Sequence, residues 1–436
     1  MIWNEPKETM SRDQMCELQS SRLRKLVDRV YHNVPFYRKK MQELSMEPGD
    51  IKGIEDLSKL PFTTKQDLRD NYPFGLLALP KSEIVRLHAS SGTTGKPVVV
   101  GYSRKDLDIF AEVVTRCLAS AGITRDDIVQ VAYGYGLFTG GLGLHYGAEK
   151  LGTAVVPISG GNTDKQLQLM EDFGTTVLAC TPSYAAYLGE AAIKKGMDVK
   201  ALPLRVGIFG AEPWTPALRE KIENSLGIKA YDIYGLSEII GPGVSGSCLY
   251  QNGLHISEDH FLPEIIDPES LEWMENGKTG ELVFTTLTKE GMPLLRYRTR
   301  DLSSLDYSPC QCGRTTVRMA KIFGRSDDML IIRGVNIFPS QVESVLLEIP
   351  EVNPIYLLIV DRKDNMDTLE IQLEIGEAYL PDEMSELEMI KRKIKHKIES
   401  VLGISVILKL VEHNTLQRSE GKAKRVIDRR SHDIER

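Results

Sequence analysis

No stretch of the 436 residues approaches the roughly 20 uninterrupted apolar residues a membrane-crossing helix needs, and the opening MIWNEPKETMSRDQMCELQ has no apolar leader core. No membrane partner is expected, and the chain reads as cytoplasmic. Cysteine is scarce: six in a chain of this length argue against a disulfide framework and leave free thiols or a metal site. Excess positive charge is also missing. The formal net charge of -7 excludes nucleic acid as a general partner, because phosphate-backbone binding needs a broad basic surface. A small anionic ligand survives that test, since it needs only a local focus of backbone N–H groups and a few cations. Neither an internal repeat nor a low-complexity tract is present.

What is there is ordinary globular material, 42% hydrophobic and 26% charged, long enough for two or three folding units. Residues 14–44 carry Leu18, Leu23, Leu26, Val27, Val30 and Val34 at helical spacing until Pro35, which predicts a helical lead-in over 1–83. From Ile84, short β-branched runs alternate with helical windows, which predicts βαβ units and an α/β fold with mostly parallel sheets over 84–326. GELVFTTLT, PLLRYRTRD and SSLDY, with turns between them, predict a β-rich subdomain at 245–323. After Gly324 the pattern changes again. A helix carrying Leu387, Ile390, Ile394, Ile398 and Val401 among several strands predicts a separate, small, mobile α+β lid over 327–436.

Ser90-Ser91-Gly92-Thr93-Thr94-Gly95-Lys96-Pro97 lies between two β-rich runs and mixes what phosphate binding needs: glycines that let N–H groups approach, hydroxyl donors and a lysine. Its spacing is neither that of a Walker A loop nor of a dinucleotide fingerprint. Alone, such a run is more often a solvated turn than a phosphate cradle. It has companions in a fixed order: LRVGIFGAEPW, Tyr231-Asp232-Ile233-Tyr234-Gly235-Leu236-Ser237-Glu238, Arg296-Tyr297-Arg298-Thr299-Arg300-Asp301, Gly324-Arg325-Ser326-Asp327-Asp328 and Arg418-Ser419-Glu420-Gly421-Lys422. Together these resemble the adenylate-forming superfamily of acyl-CoA synthetases, with the phenylacetate–coenzyme A ligase family the most similar, over nearly the whole chain.

The resemblance implies ATP-dependent ligation of an arylacetic acid to coenzyme A through an acyl adenylate, with Mg²⁺. Ser90 to Lys96 would hold the ATP phosphates, although lysine here precedes proline where the superfamily pattern ends Gly-x-Pro-Lys. Gly210, Ala211, Glu212, Asp232, Tyr234, Gly235 and Ser237 would line the nucleotide, Tyr234 by stacking on adenine, and Glu238 would place magnesium. Asp301 would accept from the ribose hydroxyls beside Arg325, a role that suits an acceptor-only carboxylate. Asp327 would be the hinge, and Lys422 the lid lysine that stabilises charge during adenylation, with Gln417 where the family usually has proline. Arg333 and Gly334 would border the coenzyme A tunnel. Tyr133, Phe138, Ile233 and Pro242 match positions lining the aryl pocket, a strip that fits core packing equally well. The resemblance also leaves open a nucleotidyltransferase acting on a cofactor hydroxyl, as in deazaflavin-modifying relatives, and a homodimer.

Cys248, His255, Cys310 and Cys312 form a set with the donors of a four-coordinate structural zinc site, or else of ordinary thiols and an imidazole. Cys16, Cys117 and Cys180 sit among apolar neighbours and read as core residues.

Overall fold

The computed structural model describes residues 1–90, 97–327, 330–333, 335–349, 352–363, 366–375, 384–412, 415–416 and 425–430. Ser91, Gly92, Thr93, Thr94, Gly95, Lys96, Gly334 and Lys422 therefore lie outside the described residues.

The lead-in is helical over Arg12–Asn33, started by a capping box in which the Ser11 side chain accepts from the Gln14 backbone. Pro35 ends it and opens a second helix, Pro35–Glu43, because proline lacks the N–H a continuing helix requires but fits a first turn. Leu23, Leu26, Val27 and Val30 face the main core. Charge reinforces that contact. Arg12 holds Glu258 by two bonds of 2.9 and 2.8 Å. Arg116 bonds Asp259 at 2.6 Å and Glu112 at 2.7 Å, and His260 lies 3.6 Å from Glu112.

Burial alone would push the Glu112 carboxyl up, but His260 and the Arg116 guanidinium outweigh it and hold it at about 2, below the ordinary 4.5. A carboxyl depressed in the folded state contributes stability that is present above its unfolded pKa and lost as pH falls through the folded value. Stability is thus expected to drop between about pH 4.5 and 2 by something on the order of 3 kcal/mol from this group. Chemical denaturation across that window, with Glu112→Gln as control, checks it: an identical acid slope in the variant would assign the loss elsewhere.

Nine strands make the central sheet, in the order Leu305–Asp306, Arg318–Met319, Leu254–Ile256, Gly241–Ser247, Lys229–Leu236, Val206–Gly210, Val177–Cys180, Ile128–Val131, Ala154–Val156. The last five are parallel, and in chain order they run 2-1-3-4-5, a doubly wound arrangement whose carboxyl ends form a crevice where the order reverses. Their connections include the helices Gly140–Leu151, Thr163–Asp172, Pro182–Lys194 and Pro216–Leu226. A separate antiparallel sheet joins Phe261–Ile266, Gly280–Thr286, Tyr297–Ser303 and Gly324–Arg325.

Two features differ from the sequence expectation. Arg86–Ser90 and Val98–Tyr102 pair antiparallel with each other instead of joining the parallel sheet, because the short loop between them returns the chain directly, whereas a parallel neighbour needs a crossover. The stretch expected as one β-rich unit is divided, since its strands at 254–256, 305–306 and 318–319 extend the large sheet while 261–303 builds the second.

Beyond residue 330 a four-stranded sheet, Ile407–Val411, Met366–Ile375, Val352–Lys363 and Val426–Asp428, packs with helices Pro339–Leu347 and Met384–Leu402 around its own core of Leu358, Ile371, Ile394 and Ile398. Val401, expected on that apolar stripe, is exposed. Leu402 is buried in its place, as the four-residue step from Ile398 requires. Cys117 and Cys180 are buried as read, and Cys16 is half-buried. No described helix is long and apolar enough to cross a membrane.

Candidate active site

The carboxyl ends of the parallel strands deliver most of the expected residues to one edge. Strand Val206–Gly210 ends in Gly210, followed by Ala211 and Glu212. A Cβ on Gly210 would sit 2.1 Å from the Ile233 carbonyl oxygen, so only glycine permits this approach to the neighbouring strand. Ala211 has φ of 72°, a left-handed conformation that costs a non-glycine residue about 1–2 kcal/mol and is characteristic of functional turns. Glu212 accepts from the Ser183 N–H at 2.7 Å, while its second oxygen is buried with no hydrogen-bond partner among the described residues.

Strand Lys229–Leu236 carries Asp232, Tyr234 and Gly235. Tyr234 donates its phenol to Asp301 Oδ2 at 2.6 Å, and Arg325 Nη1 bonds Asp301 Oδ1 at 2.8 Å. Burial, and then the Asp301 charge, hold the Tyr234 phenol well above its ordinary range, so it stays a donor. Arg325 also grips Asp327 with two bonds of 2.9 and 3.0 Å, so one guanidinium spans the expected ribose acceptor and the expected hinge. Asp232 points elsewhere: Lys321 lies 3.7 Å and Arg219 3.8 Å from its carboxylate, and burial pushes its pKa up against both cations.

The turn after that strand bears Ser237 and Glu238, both buried. Two lysines that the sequence reading passed over converge here. Lys289 Nζ donates to the carbonyls of Glu238 at 2.9 Å and Ile239 at 2.8 Å, lies 5.0 Å over the Tyr102 ring, and is pushed down to about 8 by burial. Tyr102 OH donates to Ile240 O at 3.0 Å, and Thr139 pairs its hydroxyl with that of Ser237 at 3.0 Å. Lys65 Nζ sits 3.3 Å from the Glu238 carboxylate, at the first turn of a helix capped by Thr64. A lysine inside the strand-rich run TTLTKEG was the available signal for Lys289, and the Thr64-to-Asp67 capping box only marked a helix start at Lys65. Glu238 thus offers a buried carboxylate, the oxygen chemistry magnesium takes, which Lys65 pairs with here.

Just before the loop, Ser90 Oγ and His88 Nε2 are buried with no partner among the described residues. Of the residues expected around the acyl group, Tyr133 is buried and donates to Gly210 O at 3.3 Å, Ile233 is buried, Pro242 is half-buried and Phe138 is 43% exposed. Arg333 lies apart from these, exposed and bonded at 2.8 Å to Ser405 within the terminal unit. That unit meets the body elsewhere: Arg425, paired with Glu343, lies close enough to Glu212 for its charge to be felt by both carboxylates.

The four sulfur and imidazole groups also come together. The donor atoms of Cys248, His255, Cys310 and Cys312 all lie within 4.8 Å of one another. The Cys312 thiol is drawn down by its hydrogen bond with Cys248 and by His255, while Cys248 is pushed up, as expected of sulfurs sharing a proton.

Residues 39–287 match the AMP-binding enzyme family, and residues 334–430 match the AMP-binding enzyme C-terminal domain. The chain is 52% identical to a phenylacetate-coenzyme A ligase of Thermus thermophilus, covering 99% of this chain and 100% of that one. It is 50% identical to the enzyme of the same name from Escherichia coli, over 98% of each. Among solved structures, 2-hydroxyisobutyryl-CoA ligase in the postadenylation state with 2-HIB-AMP superposes with a TM-score of 0.93 at 29% identity, covering 99% of this chain and 93% of that one. The same enzyme with 2-HIB-AMP and CoA in the thioesterification state gives 0.74 at 30% identity, over 98% and 92%. The chain belongs to the phenylacetate–coenzyme A ligase family of AMP-binding enzymes and is an AMP-forming acid–thiol ligase.

Proposed function

We propose that the chain activates phenylacetate or a closely similar arylacetic acid with ATP, forming the acyl adenylate, and passes the acyl group to coenzyme A with release of AMP and pyrophosphate. The observation that carries this reading is the joining of Tyr234, Asp301 and Arg325 at the carboxyl edge of the parallel strands, beside Glu238. In it, Asp301 receives the ribose hydroxyls and Tyr234 flanks adenine. Ser90 and the loop to Lys96 receive the phosphates, for which the Ser90 hydroxyl, without a partner among the described residues, is suited. Glu238 would hold magnesium, which when bound neutralises charge on the phosphate oxygens. Lys289 fixes the backbone that aims Glu238.

No covalent nucleophile on the protein is required. The substrate carboxylate attacks the α-phosphorus and pyrophosphate departs. A thiol then attacks the mixed anhydride, and catalysis rests on positioning and charge stabilisation. Tyr133 and Ile233 form the buried side of the acyl slot, with Phe138 and Pro242 at its mouth. Residues beyond Asp327 act as the lid, with Lys422 serving adenylation and the Arg333–Gly334 segment serving thioester formation. The smaller TM-score against the thioesterification state fits a lid held here in the earlier pose. A structural zinc at the Cys/His cluster and a cytoplasmic setting complete the reading.

ATP–pyrophosphate exchange across phenylacetate, hydroxyphenylacetate, indoleacetate, benzoate and 2-hydroxyisobutyrate tests it. Arylacetates are expected to lead the aliphatic acid by at least about tenfold, the range a shaped apolar pocket supplies. A preference for 2-hydroxyisobutyrate would overturn the aryl assignment. Adenylylation without AMP release dependent on coenzyme A would point to nucleotidyl transfer instead.

A further inference from the structure

We propose that Cys248, His255, Cys310 and Cys312 bind one tetrahedral zinc ion whose function is to clasp the first ten residues of the chain onto the body of the enzyme. The inference rests on reading the cluster as a metal site, and deepens it by giving the ion a task.

The separations suit the ion. With zinc–sulfur bonds of about 2.3 Å, a tetrahedron places two sulfurs about 3.8 Å apart, and a sulfur and an imidazole nitrogen about 3.5 Å apart. Cys248 Sγ and Cys310 Sγ are 3.8 Å apart, and Cys312 Sγ and His255 Nε2 are 3.3 Å apart. All four donors lie within 4.8 Å, so closure on an ion needs shifts of about an ångström or less at the longest edge. The imidazole is already oriented: His255 Nδ1 lies 3.0 Å from Thr316 Oγ1, and an Nδ1–H donated to that hydroxyl leaves Nε2 as the free lone pair. Strands set this geometry, since Cys248 directly follows Gly241–Ser247 and His255 lies in the paired strand Leu254–Ile256. Cys310 and Cys312 come from a tight turn closed by Gly313 N–H to Cys310 O at 3.0 Å, with Gly313 at φ 87°.

Three thiolates and one imidazole around Zn²⁺ leave one surplus negative charge. Binding forms three zinc–sulfur bonds and one zinc–nitrogen bond and releases the thiol protons to solvent, with no change of oxidation state. Arg314, next in the chain after Gly313, interacts with Cys312 and can absorb that charge. The same guanidinium pairs with Glu8 and donates to Met1 O at 2.6 Å. Glu8 in turn accepts from the backbones of Trp3 at 2.9 Å and Asn4 at 2.7 Å. Thr315 N–H bonds Glu8 O at 3.0 Å, and its hydroxyl bonds Met10 O at 2.6 Å. The turn carrying two of the four ligands is therefore also the dock for residues 1–10. An ion that fixes the turn fixes the segment.

The test uses full-length protein purified under reducing, chelator-free conditions. About one zinc per chain is expected, and cobalt exchanged into the wild type should give the intense visible bands and sulfur-to-metal charge transfer of tetrahedral thiolate ligation. That spectrum needs no variant to fold. Chelation, or Cys310→Ser, should speed amide exchange and proteolysis within residues 1–10 well before the rest of the chain responds. Absence of both retained zinc and the cobalt spectrum overturns the site. Metal bound with exchange in residues 1–10 unchanged on its removal overturns the clasp. Acid-dependent pyrophosphate exchange, read on the same samples, reports separately on the ligase function, so either conclusion can fall without the other.

Discussion

Lys422→Ala is expected to slow acyl-adenylate formation by about 10²–10³-fold, the usual cost of removing one donor aimed at developing transition-state charge, while conversion of preformed adenylate with coenzyme A stays nearly unchanged. The asymmetry follows from geometry. Arg425, three residues on, pairs with Glu343 and lies near enough to Glu212, just past the parallel strand Val206–Gly210, to feel its charge. On the proposed reading the lid brings Lys422 to the nucleotide for adenylation and carries it away for thioester formation. Measuring the two half-reactions separately decides the matter, by pyrophosphate exchange for the first and by single-turnover thioester formation from synthetic adenylate for the second. Equal loss in both would remove the division of labour.

Asp327→Pro should fail in the opposite sense. Proline fixes φ near -65° and restricts the residue before it, so a backbone that must rotate at this position is locked. No described hydrogen bond is donated by the Asp327 N–H, so the substitution costs the present pose only the water-exposed pair with Arg325, about 0–1 kcal/mol. Adenylation is expected to persist and thioester formation to fall by about 10²-fold, as expected when a conformational step, not chemistry, is blocked. Full thioester turnover in this variant would place the hinge elsewhere.

Much of this arrangement was legible in the residue order, for identifiable reasons. The boundary of the terminal unit showed because periodicity changed from strand-like to mixed after Gly324, and the unit has its own core. Tyr234, Asp301 and Arg325 could be named because each lies in a motif, yet nothing in the sequence tells that the first two are hydrogen-bonded across 67 positions. Lys65 and Lys289 escaped because a lone lysine ordinarily reads as solvated, and what distinguishes Lys289 is burial against two carbonyls that only the fold supplies. The antiparallel pairing of Arg86–Ser90 with Val98–Tyr102 escaped because β-branched runs look alike in either direction. The thiol cluster could be proposed from donor types, whereas its contact with the first ten residues depends on packing between segments some 300 positions apart.

The double grip of Arg325 on Asp301 and Asp327 bears on how the enzyme changes pose. The Arg325 side chain is 23% exposed and that of Asp327 50%, so water and salt reach this ion pair. Such a pair contributes about 0–1 kcal/mol and weakens further with ionic strength. If Asp327 is the hinge, as proposed, the pair would act as a detent and not a latch: thermal motion alone could release it, and no cleavage or second factor would be needed. Because the same guanidinium bonds Asp301, the proposed ribose acceptor, any ligand that draws Asp301 toward itself would alter the strength of the detent. On the proposed reading, nucleotide occupancy and the population of lid poses would then be two ends of one linked equilibrium, in which each could bias the other only by its differential affinity.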